Sequence, residues 1–255
     1  SKEPRTFAFN LKFKSYPESK NDSHSIRLKG ELKSESEPSY NGENGCVPCI
    51  GGVGTIYWSY TRMDTHLTVK TPEFESEKHF KNGLGWFDSQ YMQGDFIPNG
   101  FIRFLSSLKK PKVIRWIWLN LQFFEPKTQW MISHLVDGPL NTGIKIVKPE
   151  VVNLYDEKGV HYALSDKDIK CTIEVMQVAQ STSQINNRSM FFPTKFKIGL
   201  ATVKDSELTY YVMRRDFGSG HCFLPSGNMN IESAGSLWNL DESRRLGNCF
   251  FECNN

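Results

Sequence analysis

A few polar residues set inside aromatic runs carry the chemical content of this chain. Arg62 ends the run Tyr57-Trp58-Ser59-Tyr60-Thr61-Arg62. Asp88 and Gln90 lie within Gly85-Trp86-Phe87-Asp88-Ser89-Gln90-Tyr91, and Gln122 closes Trp116-Ile117-Trp118-Leu119-Asn120-Leu121-Gln122. Polar groups among aromatics need partners if buried, and aromatic walls with a few fixed polar groups are what a small-molecule cavity requires. If Arg62 and Asp88 both point inward, a charge-assisted hydrogen bond between them relieves the burial of each and orients a ligand's polar end. Trp58, Tyr60, Trp86, Trp116 and Trp118 would then line its hydrocarbon, with Gln90 and Gln122 as further polar contacts. A carboxylic acid in a dry pocket has a raised pKa and can protonate a double bond, so Asp88 is also the candidate general acid. The competing reading is ordinary sheet with polar tips in water, where Arg62 and Asp88 would add little.

Other catalytic sets are absent from the pattern. The histidines, His24, His66, His79, His134, His161 and His221, show no His-x-x-x-His spacing and no carboxylate at metal-ligand spacing. His66 and His134 read as satisfied sheet residues. No Gly-x-Ser-x-Gly elbow occurs. Gly51-Gly52-Val53-Gly54-Thr55 lacks the lysine of a phosphate loop and precedes a strand.

The elements that must position these residues are strands. Alternating runs separated by Gly, Pro, Asn or Ser predict strands over 7–13, 26–32, 55–69 and 84–91, then 114–124, 129–136, 143–155, 169–177, 194–200, 207–215 and 228–238. Only 241–246 suggests a short helix. The basic, proline-marked segment 105–112 is the expected domain edge. About four strands before it cannot close a barrel, whereas seven after it can. The first part therefore needs a cover for its edges and apolar face.

Composition agrees with an all-β chain. Aromatics make up 13% of the 255 residues, which suits sheets and apolar pockets better than a helical bundle. A net charge of +3, with basic residues scattered among acids, excludes a nucleic-acid role. No apolar run is long enough for a membrane-spanning helix, and the polar start Ser1-Lys2-Glu3-Pro4-Arg5 reads either as a processed N-terminus or as an artificial boundary within a longer chain. The six cysteines, Cys46, Cys49, Cys171, Cys222, Cys249 and Cys253, fall mostly in loop-like segments and are disulfide candidates whose pairing stays open. Cys46/Cys49 with Cys249/Cys253 also permits a four-cysteine zinc site, disfavoured by the longer second spacing and the distance between the pairs; no metal is expected. The sequons at Asn21 and Asn187 are glycosylation candidates. Cysteines and sequons together point to secretion.

The three aromatic segments resemble signature strands of the AttH-like, carotenoid-hydratase family. Met131 to Val136 resembles the strand after the Trp-rich one, and Phe191-Phe192-Pro193-Thr194-Lys195-Phe196 resembles the family's proline-led strand. The resemblance spans about residues 50–240. It implies two packed lipocalin-like (calycin) antiparallel β-barrels, here 1–108 as a partial N-terminal barrel and 109–255 as a C-terminal one. It also implies long apolar isoprenoids or polyketides as ligands. Family enzymes commonly carry Trp-x-Asp-His, and Ser89 stands at the histidine position, which removes the group best suited to proton transfer near neutral pH. The expected function is therefore a secreted, lipocalin-like carrier of a carotenoid or other isoprenoid, requiring no cofactor and associating with a second, related polypeptide. The alternative is a hydratase- or cyclase-type enzyme acting on an apolar polyene with Asp88 as acid. A third reading makes the aromatic strands plain core in a structural or interaction protein.

Overall fold

The computed structural model describes residues 5–14, 25–34, 36–40, 45–48, 54–92, 114–137, 145–146, 151–165, 167–182, 189–202, 205, 207–223 and 229–254. Among them every regular element is a strand, as the alternating pattern predicts. The chain is an all-β, lipocalin-like protein that divides into two compact units, Ser1–Phe96 and Ile97–Asn255. The division at 96/97 and the expected one at 108/109 both fall in 93–113, outside the described residues.

The first unit is a six-stranded antiparallel sheet that curls into a half-barrel. Its strands are β1 (Thr6–Lys14), β2 (Ser25–Ser34), β3 (Ser39–Tyr40), β4 (Cys46–Pro48), β5 (Gly54–Lys70) and β6 (Lys78–Met92). The long β5 organises it, pairing with β6 along one edge and with β2, β3 and β4 along the other. On β1 and β2 the residues Phe7, Phe9, Leu11 and Phe13 stand opposite Leu32, Gly30, Leu28 and Ile26, one apolar face with period two. That face is not closed by its own strands: Leu11 is 44% exposed, Phe13 49% and Phe80 52%. The first barrel is thus incomplete, as the strand count requires. Gly85 in the Gly83-Leu84-Gly85-Trp86 run has a packing reason. A Cβ there would lie 2.3 Å from Leu32 Cδ2 and 2.2 Å from Thr65 Oγ1, so only glycine lets these side chains lie against β6.

The second unit is a ten-stranded antiparallel sheet. Its strands are β7 (Ile114–Phe123), β8 (Gln129–Asp137), β9 (Lys145–Ile146), β10 (Val151–Tyr155), β11 (His161–Leu164), β12 (Ile169–Thr182), β13 (Ser189–Thr202), β14 (Thr209–Phe223), β15 (Met229–Asn239) and β16 (Arg245–Asn254). They run β11-β10-β8-β7-β16-β15-β14-β13-β12-β9, so among the described residues the first strand of the unit pairs with the last. One continuous core joins Ile117, Leu119 and Leu121 of β7 to Ile173 and Val175 of β12, Phe196 and Ile198 of β13, Met213, Leu237 and Phe251. Each such side chain contributes about 1.5–3 kcal/mol on burial.

Three expectations are corrected. The segment 241–246 is not a helix: 241–244 form the turn between β15 and β16, and 245–246 begin β16. Glu242 lies in the left-handed region at φ 57°, and Asn239 Oδ1 and Asp241 Oδ1 accept the Arg244 and Ser243 backbone N–H groups at 2.9 and 3.0 Å. The strand expected over 143–155 is two described strands, β9 and β10, with 147–150 outside the described residues. The Cys249–Cys253 segment is not a loop but lies within β16, where the two thiols share the core face.

The disulfide expectation is corrected with it for half of the cysteines. Cys171, Cys249 and Cys253 are free, buried thiols that fill core volume beside aliphatic neighbours. Cys49 and the side chains of Cys46 and Cys222 lie outside the described residues. Burial pushes the Cys171 and Cys249 thiols up to about 12 and raises Cys253 as well. These three residues should resist alkylation by iodoacetamide in the folded protein and react fully in urea, read by peptide mass spectrometry. Rapid labelling of the native state at any of them would contradict this core.

Candidate functional site

The pleat of β5 and β6 sorts the sequence candidates of the first unit onto two faces. The register sets Tyr57 opposite Gln90, Ser59 opposite Asp88 and Tyr60 opposite Phe87. Partners in an antiparallel ladder share a face. Tyr57, Ser59, Trp86 and Asp88 therefore stand together. The Asp88 carboxylate accepts hydrogen bonds from the Tyr57 hydroxyl at 3.1 Å and the Trp86 indole Nε1–H at 2.5 Å, and Ser59 also hydrogen-bonds to it. Ser59 and Thr61 are fully buried and Tyr57 nearly so. Asp88 keeps a solvent-accessible side, yet the protein crowded around its carboxyl raises its pKa above the ordinary 3.8. The donors Ser59, Trp86 and Tyr57 stabilise the ionised form but do not outweigh the desolvation.

Trp58 and Tyr60 stand on the other face. Trp58 meets Tyr60 edge-on at 5.5 Å and Phe87 at 5.8 Å, while Phe7 of β1 stacks on Phe87 at 4.6 Å. These rings belong to the half-open apolar face of the sheet. Trp58 and Trp86 thus do not line one wall, because the register puts Trp58 on the face of Phe87 and Ser89, and Trp86 alternates with Phe87 along β6. Arg62 lies in a bulge, where Arg62 and Thr61 on β5 oppose a single position of β6. The expected Arg62–Asp88 pair is replaced: Tyr57, Trp86 and Ser59, not Arg62, are the groups that hydrogen-bond to Asp88. Gln90 shares the Asp88 face by register, with its side chain outside the described residues.

In the second unit, Trp118 and Gln122 lie on the face of β7 opposite its aliphatic core, and the side chain of Trp116 is outside the described residues. Trp118 is buried and meets Phe250 edge-on at 5.9 Å. The same face carries polar residues that strand periodicity did not single out. The register aligns Gln122, Gln129, Tyr155 and His161 in one row and Asn120, Met131 and Asn153 in the next. Gln129 Nε2 donates to Asn120 Oδ1 at 2.8 Å, and His161 Nε2 meets Asn153 Oδ1 at 2.8 Å with the imidazole stacked on Tyr155. Burial lowers the His161 pKa. A neutral imidazole facing an amide oxygen through Nε2 carries its proton there and keeps Nδ1 as an acceptor. Asn120 Nδ2 is buried without a partner, a cost of about 1–3 kcal/mol that roughly one core aliphatic offsets. A signal for this row exists in Leu119-Asn120-Leu121-Gln122, where amides alternate with leucines; His161 gave none, because β11 is only 4 residues long.

Asn21 and Asn187 lie outside the described residues. Among the described residues no group of three or more His, Cys, Asp or Glu is placed to hold a metal ion. The raised pKa of Asp88 is directly measurable. A carboxyl 13C titration should give Asp88 a midpoint above 3.8; a midpoint at or below that value would show the three donors outweighing desolvation.

No protein-family model matches the chain, and no curated protein matches its sequence. Solved structures do match in fold. A protein named as an AttH from Nitrosomonas europaea superposes with a TM-score of 0.56 at 11% identity over 96% of this chain. Kievitone hydratase from Nectria haematococca superposes with a TM-score of 0.51 at 13% identity over 95%. The chain spans 64% of the length of each of these neighbours. It has the lipocalin-like fold of the AttH and kievitone hydratase structures, as the signature strands led one to expect.

Proposed function

We propose that this chain is a lipocalin-like protein that binds a long, mainly apolar small molecule, a carotenoid or other isoprenoid, with the ligand's polar end group held at Asp88. The observation that carries the reading is the environment of that carboxyl. It is ringed by the Tyr57 hydroxyl, the Trp86 indole and Ser59 rather than by a cation, and it sits on an aromatic-rich sheet. Such a group can accept from a ligand hydroxyl when ionised and donate to a carbonyl when protonated. The half-open apolar face formed by Phe7, Trp58, Tyr60 and Phe87 belongs to the same sheet but to its other side, so the ligand contacts proposed at Asp88 are Tyr57, Trp86 and, by register, Gln90. Trp118 and Gln122 remain proposed contacts in the second unit.

The wider reading goes with it. The protein is secreted, glycosylated at Asn21 and Asn187, and associated with a second, related polypeptide that covers the open sheet of the first unit. The free thiols of Cys171, Cys249 and Cys253 take away part of the cysteine support for secretion, which then rests chiefly on the sequons. Mass spectrometry of organic extracts from native protein names the ligand, and Asp88→Ala should lose at least tenfold in retention of that molecule, the size of one charge-assisted hydrogen bond. Unchanged retention would remove Asp88 from the site.

One observation favours a second reading. A carboxyl with a raised pKa can serve as a general acid, and one neighbour in fold is named a hydratase. Hydration of a polyene would pass the Asp88 proton to one alkene carbon. Water then adds to the other carbon and returns its proton to the carboxylate, so the enzyme ends as it began. Purified protein should then convert an apolar polyene to an alcohol carrying 18O from labelled water, and Asp88→Asn should abolish the product. Absence of turnover by the wild-type chain leaves the carrier.

A further inference from the structure

The second unit turns one arginine toward the inside of its sheet. On β14 the register pairs Met213 with Leu237 and Arg215 with Gly235. Met213 and Leu237 belong to the core, so Arg215, two residues on, projects from the same face. Its guanidinium carbon lies 4.7 Å from the centroid of the Phe192 ring. Phe192 and Ile231, 3% and 1% exposed, form a small apolar cluster with Ala179 beyond the main core. The Nε atom of Arg215 is buried there without a hydrogen-bond partner.

Two further observations bear on what this cation lacks. Asp216, the adjacent acid, is the extra residue of a bulge between Arg215 and Phe217, and its carboxylate lies 3.6 Å from Arg214 instead. Ser233 of β15 stands two positions from Gly235 on the same inner face. It is fully buried, and its Oγ also has no hydrogen-bond partner. Diagonal cross-strand neighbours of this kind lie ~7–8 Å apart at the backbone, within reach of one shared small group. A ring face offsets only part of the desolvation of a guanidinium. An inward cation with an orphaned donor, beside an orphaned hydroxyl and a small apolar cluster, is complementary to a planar anion with a hydrocarbon tail.

We propose that Arg215 and Ser233 form a head-group site for a long-chain carboxylate, whose chain packs against Phe192, Ile231 and Ala179. The carboxylate accepts from the guanidinium and from the Ser233 hydroxyl, which gives both orphaned groups their partner. The site shares no residue with the one around Asp88 and stands or falls without it.

The test uses the full, delipidated chain with oleate and methyl oleate as paired probes, read by calorimetry. The wild-type protein should bind oleate about 10- to 100-fold more tightly than its ester, the worth of one or two charge-assisted hydrogen bonds. Arg215→Gln should bind the two alike, Arg215→Lys should keep part of the preference, and the exposed control Arg244→Gln should keep all of it. Equal binding of acid and ester by the wild type, binding of neither, or a preference that survives Arg215→Gln would overturn the proposal. The wild-type comparison needs no variant and decides the matter even if Arg215→Gln fails to fold.

Discussion

In a sheet buried on both sides, the pleat decides the company each side chain keeps. Residues 117–121 of β7 are five consecutive buried positions, so this stretch has no solvent face to receive misplaced side chains. A slip of one residue would exchange the aliphatic row Ile117, Leu119 and Leu121 with the row Trp118, Asn120 and Gln122. The continuous core of the second unit penalises that exchange by several aliphatic burials, and the register it enforces brings Gln129 to Asn120 and His161 to Asn153. The polar face is therefore positioned by the apolar one.

The two units use this constraint differently. The second has an aliphatic core large enough to carry buried amides, an orphaned Asn120 donor and an inward Arg215. In the first, the face of Phe7, Phe9 and Phe13 remains partly open, and its ordered polar chemistry is concentrated on the other side at Asp88. Opposite environments also set opposite protonation tendencies. Crowding around Asp88 favours the neutral acid, while burial of His161 favours the neutral base, so both groups are biased to the uncharged form.

Much of the fold was legible from local pattern. Alternation located β5, β6, β7 and β13 because each carries enough apolar residues at period two to stand out. It failed at β11 and β16: the first is too short to show a period, and the cysteine-bearing second reads as a loop when the cysteines are taken for cross-links. The turn at 241–244 reads as a helix because its Asp, Ser and Arg residues are also what a helix end uses; the left-handed Glu242 separates the two.

Composition and period within single segments were enough for the strand-dominated class, the shortfall of strands in the first half and the aromatic setting of Asp88. Tertiary structure alone decided that Trp58 and Trp86 look to opposite sides, that Tyr57 and Ser59 rather than Arg62 attend Asp88, and that Arg215 points inward. Those outcomes depend on pairing register and on bulges such as the one at Arg62. Such features are fixed by contacts between strands distant in the chain, and no single segment encodes them.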